Sequence, residues 1–507
     1  MTAYKSILIK SVACDTLYRN YYRSSNAIAI ILLVSMVFIA NFNIVLMSAC
    51  FFNLIILGFR RQFQNSHDPF VLIFLTFSLL FVEFPIAVMA MRYPAYFPTN
   101  GLSFDLLAPS ESTIVSAIGL LFVFYLGFFA AVAFTPIKFI DTIALPRSRD
   151  IQKILVIAIV LLVFSFAYDN YFGVATTLKL PGAWIELTKF LAYDLAIFLI
   201  LFLVINRFDG NLVTQLNAWL TTYYLAFGIL FLVLHTFNGS KGAILLLFYI
   251  AFIFPLAILG QQPRQCLLVP RLWLITVSIF VSPLIFIVAI AFRLIRMNSR
   301  SDNEALSFFN ALTKAVSNDD FLSNNGSLLF ETISDRLSVD FNRYILIYQN
   351  FNTLGFSESV LALPGYIVRS FLNLHLPGTP FLDEYYPSSM QLESILQDGS
   401  YRVGDAVNHQ ESLNSQPFSI FGLALLFAGF FGPFLFFVLV VALRWLCVRC
   451  GFWFALFSLM FFNAILSCYG IEVVFQVSLS IIATFYFVTT LARMLARLHV
   501  TPTAYHQ

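Results

Sequence analysis

The chain has 507 residues, 60% of them hydrophobic and 11% charged, with 60 Phe, a mean hydropathy of +0.85 and a formal net charge of +3. Soluble domains carry about a quarter charged residues, so this composition excludes a soluble globular protein and predicts an all-α, polytopic membrane helical bundle. No nucleic acid is expected among its partners.

A spanning helix needs roughly 20 apolar residues at about 1.5 Å each to cross about 30 Å of hydrocarbon. The first 25 residues are polar and basic, and the apolar run that follows has no small-residue cleavage pattern after it, so no cleavable signal peptide is expected. Residues 26–59 form an apolar run broken only by Asn41-Phe42-Asn43. As one helix it would be roughly 51 Å long, so two short spans joined at the asparagines fit better. Further spans are predicted at residues 70–91, 113–134, 151–168, 188–206, 216–235, 241–259 and 272–292. This makes about nine in the N-terminal part, 1–292. Residues 293–417 then leave the membrane pattern and carry eight of the 29 Lys and Arg residues. Three more spans, 418–443, 452–468 and 470–492, and a short tail complete residues 418–507, for about 12 transmembrane helices.

Lys and Arg are retained in short cytoplasmic loops. With both termini inside, seventeen of them fall on cytoplasmic segments, among them Arg60, Arg61 and Arg444, against four on the short outer loops and outer helix ends. The large loop therefore falls outside, as one partly helical outer segment. None of the six cysteines lies in it, so it is no disulfide framework. Cys447-Val-Arg-Cys450 has metal-knuckle spacing without a second pair or a His partner, which reads as reduced thiols in a juxtamembrane turn, and no metal is expected. Asn238 and Asn325 each open a Gly-Ser glycosylation triplet too common to carry weight.

Ionisable groups inside hydrocarbon cost several kcal/mol unless paired or facing water. By this topology Glu83 lies in the outer half of its helix, Asp194 and Lys241 near outer helix ends, and Glu472 near the outer start of the last span. Each either pairs structurally, for instance a carboxylate with Lys241, or shares one water-filled cavity open to the outside and contacts substrate there.

The large loop has helical periodicity. Leu306, Phe309, Leu312 and Val316 recur every three to four residues between 301 and 318, and a second stripe over 327–351 includes Leu337, Phe341, Ile345 and Tyr348. Arg336 and Arg343 are seven apart on that second helix and share a face, with Asp335 and Asp340 nearby. Two Leu-Pro-Gly segments then interrupt regular structure, the first leading to Arg369, and the polar stretch 399–417 carries Arg402, Asp405, His409 and Glu411. Guanidinium groups suit phosphate because a planar fork gives two parallel charge-assisted hydrogen bonds. Arg336, Arg343, Arg369 and Arg402, with Lys241, could clamp a diphosphate, or else form an ordinary solvated loop face. His409 beside Glu411 could act as a general base oriented by the carboxylate, whereas His375, between leucines, reads as packed.

In layout and in two short signatures the chain resembles the O-antigen polymerase and ligase class, the Wzy-type oligosaccharide repeat-unit polymerases. One signature is His235-Thr-Phe-Asn-Gly-Ser-Lys-Gly242, similar to the Gly-Ser-Arg-Gly start of a membrane helix, with Lys241 where Arg is usual. The other is Asn414-Ser-Gln-Pro-Phe-Ser-Ile-Phe-Gly422 followed by Gly429-Phe-Phe-Gly432. The class's spaced Arg-to-Gly loop pattern is met only approximately, by Arg343 with Gly355. The resemblance implies a glycosyltransferase of the bacterial inner membrane that moves a growing glycan from polyprenyl diphosphate onto another lipid-linked repeat unit, needing no cofactor. It implies that Arg336, Arg343, Arg369 and Arg402 steady the diphosphate leaving group and that His409 or Glu411 takes the acceptor proton. Membrane lipids, a chain-length regulator and a flippase are the partners it implies. The alternatives are a lipid-linked glycan flippase or transporter, which predicts charge in both leaflets and a two-half repeat, and a ligase or other lipid-sugar transferase.

Overall fold

The computed structural model describes residues 5–8, 15–38, 42–64, 68–93, 109–135, 142–145 and 420–450. It also describes helical positions at 156–157, 160, 341–342, 344–345, 347–349, 458, 479, 482–484, 486–487, 490 and 494. The apolar run from residue 26 to 59 is two helices. α1 (Asp15–Val37) begins eleven residues before the run, inside the polar segment, and α2 (Phe42–Phe63) starts at the predicted break. α1 packs through Tyr22, Ser25, Ala29 and Met36, spaced as one helical face, while Ile28, Ile31 and Val34 point outward. Tyr21 joins it to the next hairpin by a hydrogen bond to Thr76.

α3 runs through Pro69–Phe77, Ser78–Glu83 and Phe84–Arg92. Its start follows the rule for helix N-termini: the Asp68 carboxylate accepts from Phe70 N at 3.0 Å and Pro69 takes the first position, where no N–H is needed. Ser78–Glu83 is π-helical, as is Phe51–Leu57 inside α2. Pro85 supplies a cause in α3, because a mid-helix proline removes one backbone hydrogen bond and crowds the carbonyl four residues back. α4 (Glu111–Phe134) is capped by the Ser110 hydroxyl, which accepts from Thr113 N, with Glu111 in the first turn against the helix dipole.

The predicted span 418–443 is not one helix. α5 (Ile420–Ala428) ends at Gly429, whose φ of 56° is left-handed, and a short 3-10 turn, Gly429–Phe431, leads into α6 (Gly432–Cys450). The chain turns back so tightly that a Cβ at Gly432 would stand 3.0 Å from the Ala424 carbonyl, which only glycine avoids. α6 packs along α4, with the Gly127 Cα facing the Pro433 carbonyl. The Cys447–Cys450 segment is the last turn of α6, where Cys447 is buried and forms no disulfide.

Four helical stretches, Phe42–Phe63, Phe70–Arg92, Glu111–Phe134 and Gly429–Arg449, are long and apolar enough to cross a membrane. Their outward faces are apolar too: Leu54, Val123, Phe434 and Trp445 are all exposed, as expected of side chains meeting lipid. The described residues also include one strand pair, β1 (Lys5–Leu8) antiparallel to β2 (Thr142–Leu145). It brings the segment before α1 to the segment after α4, which the charge count assigns to the same side. Positions 156–157 and 160 are helical within the predicted span 151–168, and the helical positions 458, 479, 482–484, 486–487 and 490 fall in the last two predicted spans. The other predicted spans, and most of the large loop, lie outside the described residues.

Candidate functional site: a buried charge pair and the aromatic roof above it

At the centre of the described helices lies an ion pair with no exposed side-chain surface. Arg60 of α2 donates from Nη1 to Glu83 Oε2 at 2.9 Å and from Nη2 to Glu83 Oε1, while Ser78 donates to the same carboxylate at 3.0 Å and Arg60 Nη2 reaches the Leu75 carbonyl at 3.3 Å. Arg60 lies near the end of α2 and Glu83 well along α3, yet the two meet. Side chains tilt toward the N-terminus of their own helix, and α2 and α3 run in opposite directions, so guanidinium and carboxylate lean toward each other. Two parallel charge-assisted bonds, with a hydroxyl on a further carboxylate lone pair, offset part of the cost of burying the charges, while Arg60 Nε is buried without a hydrogen-bond partner.

The sequence leaves Glu83 with two readings, and the structure gives it a partner, Arg60, in a closed setting. Arg60 itself is counted there as an inner-loop charge and is instead buried. What hides the connection is that Arg60 opens an Arg60-Arg61 doublet at the end of an apolar run, which reads as a juxtamembrane anchor. Only Arg61 is exposed.

A second buried arginine ties the C-terminal helices to the N-terminal ones. Arg444 Nη2 bonds Asp68 Oδ2 at 2.7 Å and the Thr135 carbonyl at 2.7 Å, Nε donates to Thr135 Oγ1 at 3.0 Å, and the guanidinium stacks over Phe70 at 5.4 Å. Two helix ends, the start of α3 and the end of α4, therefore meet the later part of α6. Asp68 serves both as cap and as counter-ion.

An aromatic layer is built around Phe421. Phe421 of α5 contacts Phe77, Phe124, Tyr125 and Phe436. Part of the large loop enters this layer. Phe341, Tyr344, Ile345 and Ile347 are buried, and the Tyr344 hydroxyl donates to the Ala117 carbonyl of α4 at 2.9 Å. The expected loop helix is thus helical at its described positions, and Phe341 and Ile345 of its stripe are inside. Tyr344, three residues after Phe341 and four before Tyr348, lies on the same face by spacing, a signal the stripe contained. A small apolar cavity remains between Phe77, Phe81, Val82, Leu121, Phe341, Tyr344 and Phe421, directly beside the π-helical turn that bears Glu83. A separate open cleft near the start of α4 is lined by Asn43, Leu46, Met47, Cys50, Ser110, Glu111, Ser112 and Val115.

Lys241, Arg336, Arg343, Arg369, Arg402, Asp194, Glu472, His409 and Glu411 lie outside the described residues. Among the described residues no cluster of His, Cys, Asp and Glu has the make-up of a metal site. Compared with protein-family descriptions, curated proteins and solved structures, the chain matches none.

Proposed function

We propose that this chain polymerises lipid-linked oligosaccharide repeat units at the outer face of a bacterial inner membrane, with both termini cytoplasmic and residues 293–417 periplasmic. The acceptor sugar hydroxyl attacks the anomeric carbon of a glycan held on polyprenyl diphosphate. A new glycosidic C–O bond forms, the bond to the diphosphate breaks, and the lipid diphosphate leaves with the electron pair. His409, or Glu411, accepts the hydroxyl proton. Arg336, Arg343, Arg369 and Arg402, with Lys241, balance the charge that grows on the leaving group. Asp194 and Glu472, expected near the outer rim, hold sugar hydroxyls, whereas Glu83 acts through its pairing with Arg60.

The observation that supports this reading best is the burial of a loop segment inside an apolar bundle. Tyr344, from the stretch that carries eight of the 29 basic residues, is hydrogen-bonded to a spanning helix, so the polar segment is attached to the membrane part. A lipid-linked anionic donor has its diphosphate at such a boundary and its chain in the bilayer, and an enzyme for it must hold cationic groups there.

The test is a gene deletion followed by gel analysis of surface polysaccharide. A polymerase loss leaves single repeats in place of a ladder, whereas a flippase loss leaves even the single repeat trapped inside. Arg343→Ala and His409→Ala are expected to reproduce the single-repeat pattern. A complete ladder from both variants removes these two residues from the site.

A further inference from the structure

We infer that Tyr344 is a positioning residue that pins the arginine-bearing loop at a fixed depth along α4. Its consequence for turnover rests on the polymerase reading above; its geometry does not. The ring is 1% exposed and packs edge-on against Phe124 and Phe421, with centroids 6.3 and 6.1 Å away. Such ring contacts tolerate sliding along an apolar helix. The hydroxyl does not: buried without an acceptor it would be penalised, and the acceptor it has is the Ala117 carbonyl, whose second lone pair is free to take a bond beyond the helical one. Ring contacts supply the adhesion and the hydroxyl supplies the register.

The neighbours are consistent with an anchor. Phe341, Ile345 and Ile347 are buried around it, and Phe421, the residue Tyr344 touches on α5, is itself packed on α3 and α4. α5 follows the loop in sequence, so the anchor joins a point inside the loop to the helix at its exit and to α4 at once. Arg343, expected on the diphosphate, is the residue immediately before the anchor. Fixing Tyr344 constrains the backbone at the residue next to Arg343 in sequence.

Two measurements on the full-length membrane protein test this. With p-azidophenylalanine in place of Tyr344, illumination is expected to give a covalent adduct to the 111–134 segment; adducts found only elsewhere would overturn the docking. In a deletion strain, Tyr344→Phe keeps the rings and loses the register, and is expected to give a ladder of shorter chains. Tyr344→Ala is expected to give at least tenfold less polymer per unit of membrane protein. A purely structural role would lower polymer and protein in proportion, and that result overturns the proposal, as does a full ladder from both variants. If the deletion strain itself keeps its ladder, the polymerase reading fails and the positioning role fails with it, while the adduct still reports the docking. Should Tyr344→Ala not accumulate, Tyr344→Phe and the adduct decide.

Discussion

Arg60 and Glu83 face each other with no side-chain surface exposed, and each is tolerated there because of the other. Removing one partner of a buried pair typically costs about 3–5 kcal/mol, because the remaining charge is left without compensation, whereas replacing both by apolar groups is often close to neutral. Glu83→Ala is therefore expected to destabilise the protein by an amount in that range, and Arg60→Leu with Glu83→Leu to restore most of it. Thermal unfolding in detergent checks this, and a double variant no more stable than the single one would mean that the pair is not the source of the loss. Asp68 allows a finer separation. Asn caps helices about as well as Asp but carries no charge to form an ion pair with Arg444, so Asp68→Asn is expected to be milder than Asp68→Ala by about 1 kcal/mol, the usual worth of a cap. Equal losses from the two substitutions would assign the whole effect to the ion pair.

Among the elements, the α5–α6 reversal depends most on single residues. Gly429 holds a left-handed φ and Gly432 leaves no room for a side chain against Ala424. A left-handed backbone costs a residue with a Cβ roughly 1–2 kcal/mol, so Gly429→Ala is expected to weaken the turn by that amount. Gly432→Ala, which needs a backbone shift, is expected to cost more. Limited proteolysis at residues 428–432 in membranes would report both, and protection equal to wild type in Gly432→Ala would contradict the close packing. The sequence marks both glycines but reads 418–443 as one span, because hydropathy registers apolar length and is blind to the sign of φ. The helix ends fare better. Asp68-Pro69 and Ser110 before Glu111 are local signals that need only a few neighbouring residues, and the starts of α3 and α4 fall within two residues of the predicted ones.

At the scale of the molecule, the described helices form a bundle with aromatic and charged contacts inside and apolar side chains outside, the reverse of a soluble surface. A charged residue at a lipid-facing, mid-helix position costs about 2.5–3.5 kcal/mol on insertion, so Val123→Arg is expected to reduce membrane-inserted protein, whereas Val123→Leu is not. Sidedness can be measured independently. In a cysteine-free background, Ser112→Cys, in the first turn of α4, and Gln64→Cys, just past the end of α2, are expected to react with an impermeant reagent from opposite sides of the membrane. Labelling of both from one side would break the hairpin order of α2, α3 and α4.

What the sequence determined by itself was the solvent and the elements: a helical membrane chain, the break at Asn41-Phe42-Asn43, the extents of α3 and α4, and a loop stripe through Phe341 and Ile345. All of these follow from apolar length, short-range capping and a 3.6-residue period, quantities that one stretch of chain contains. The pairing of Arg60 with Glu83, the junction of Arg444 with Asp68 and Thr135, the reversal at Gly429 and the seating of Tyr344 on Ala117 were decided by tertiary structure. Each joins residues from separate parts of the chain, or depends on a backbone angle. An arginine at the end of an apolar run looks the same in sequence whether it faces water or a carboxylate; only the arrangement of the helices around it distinguishes the two.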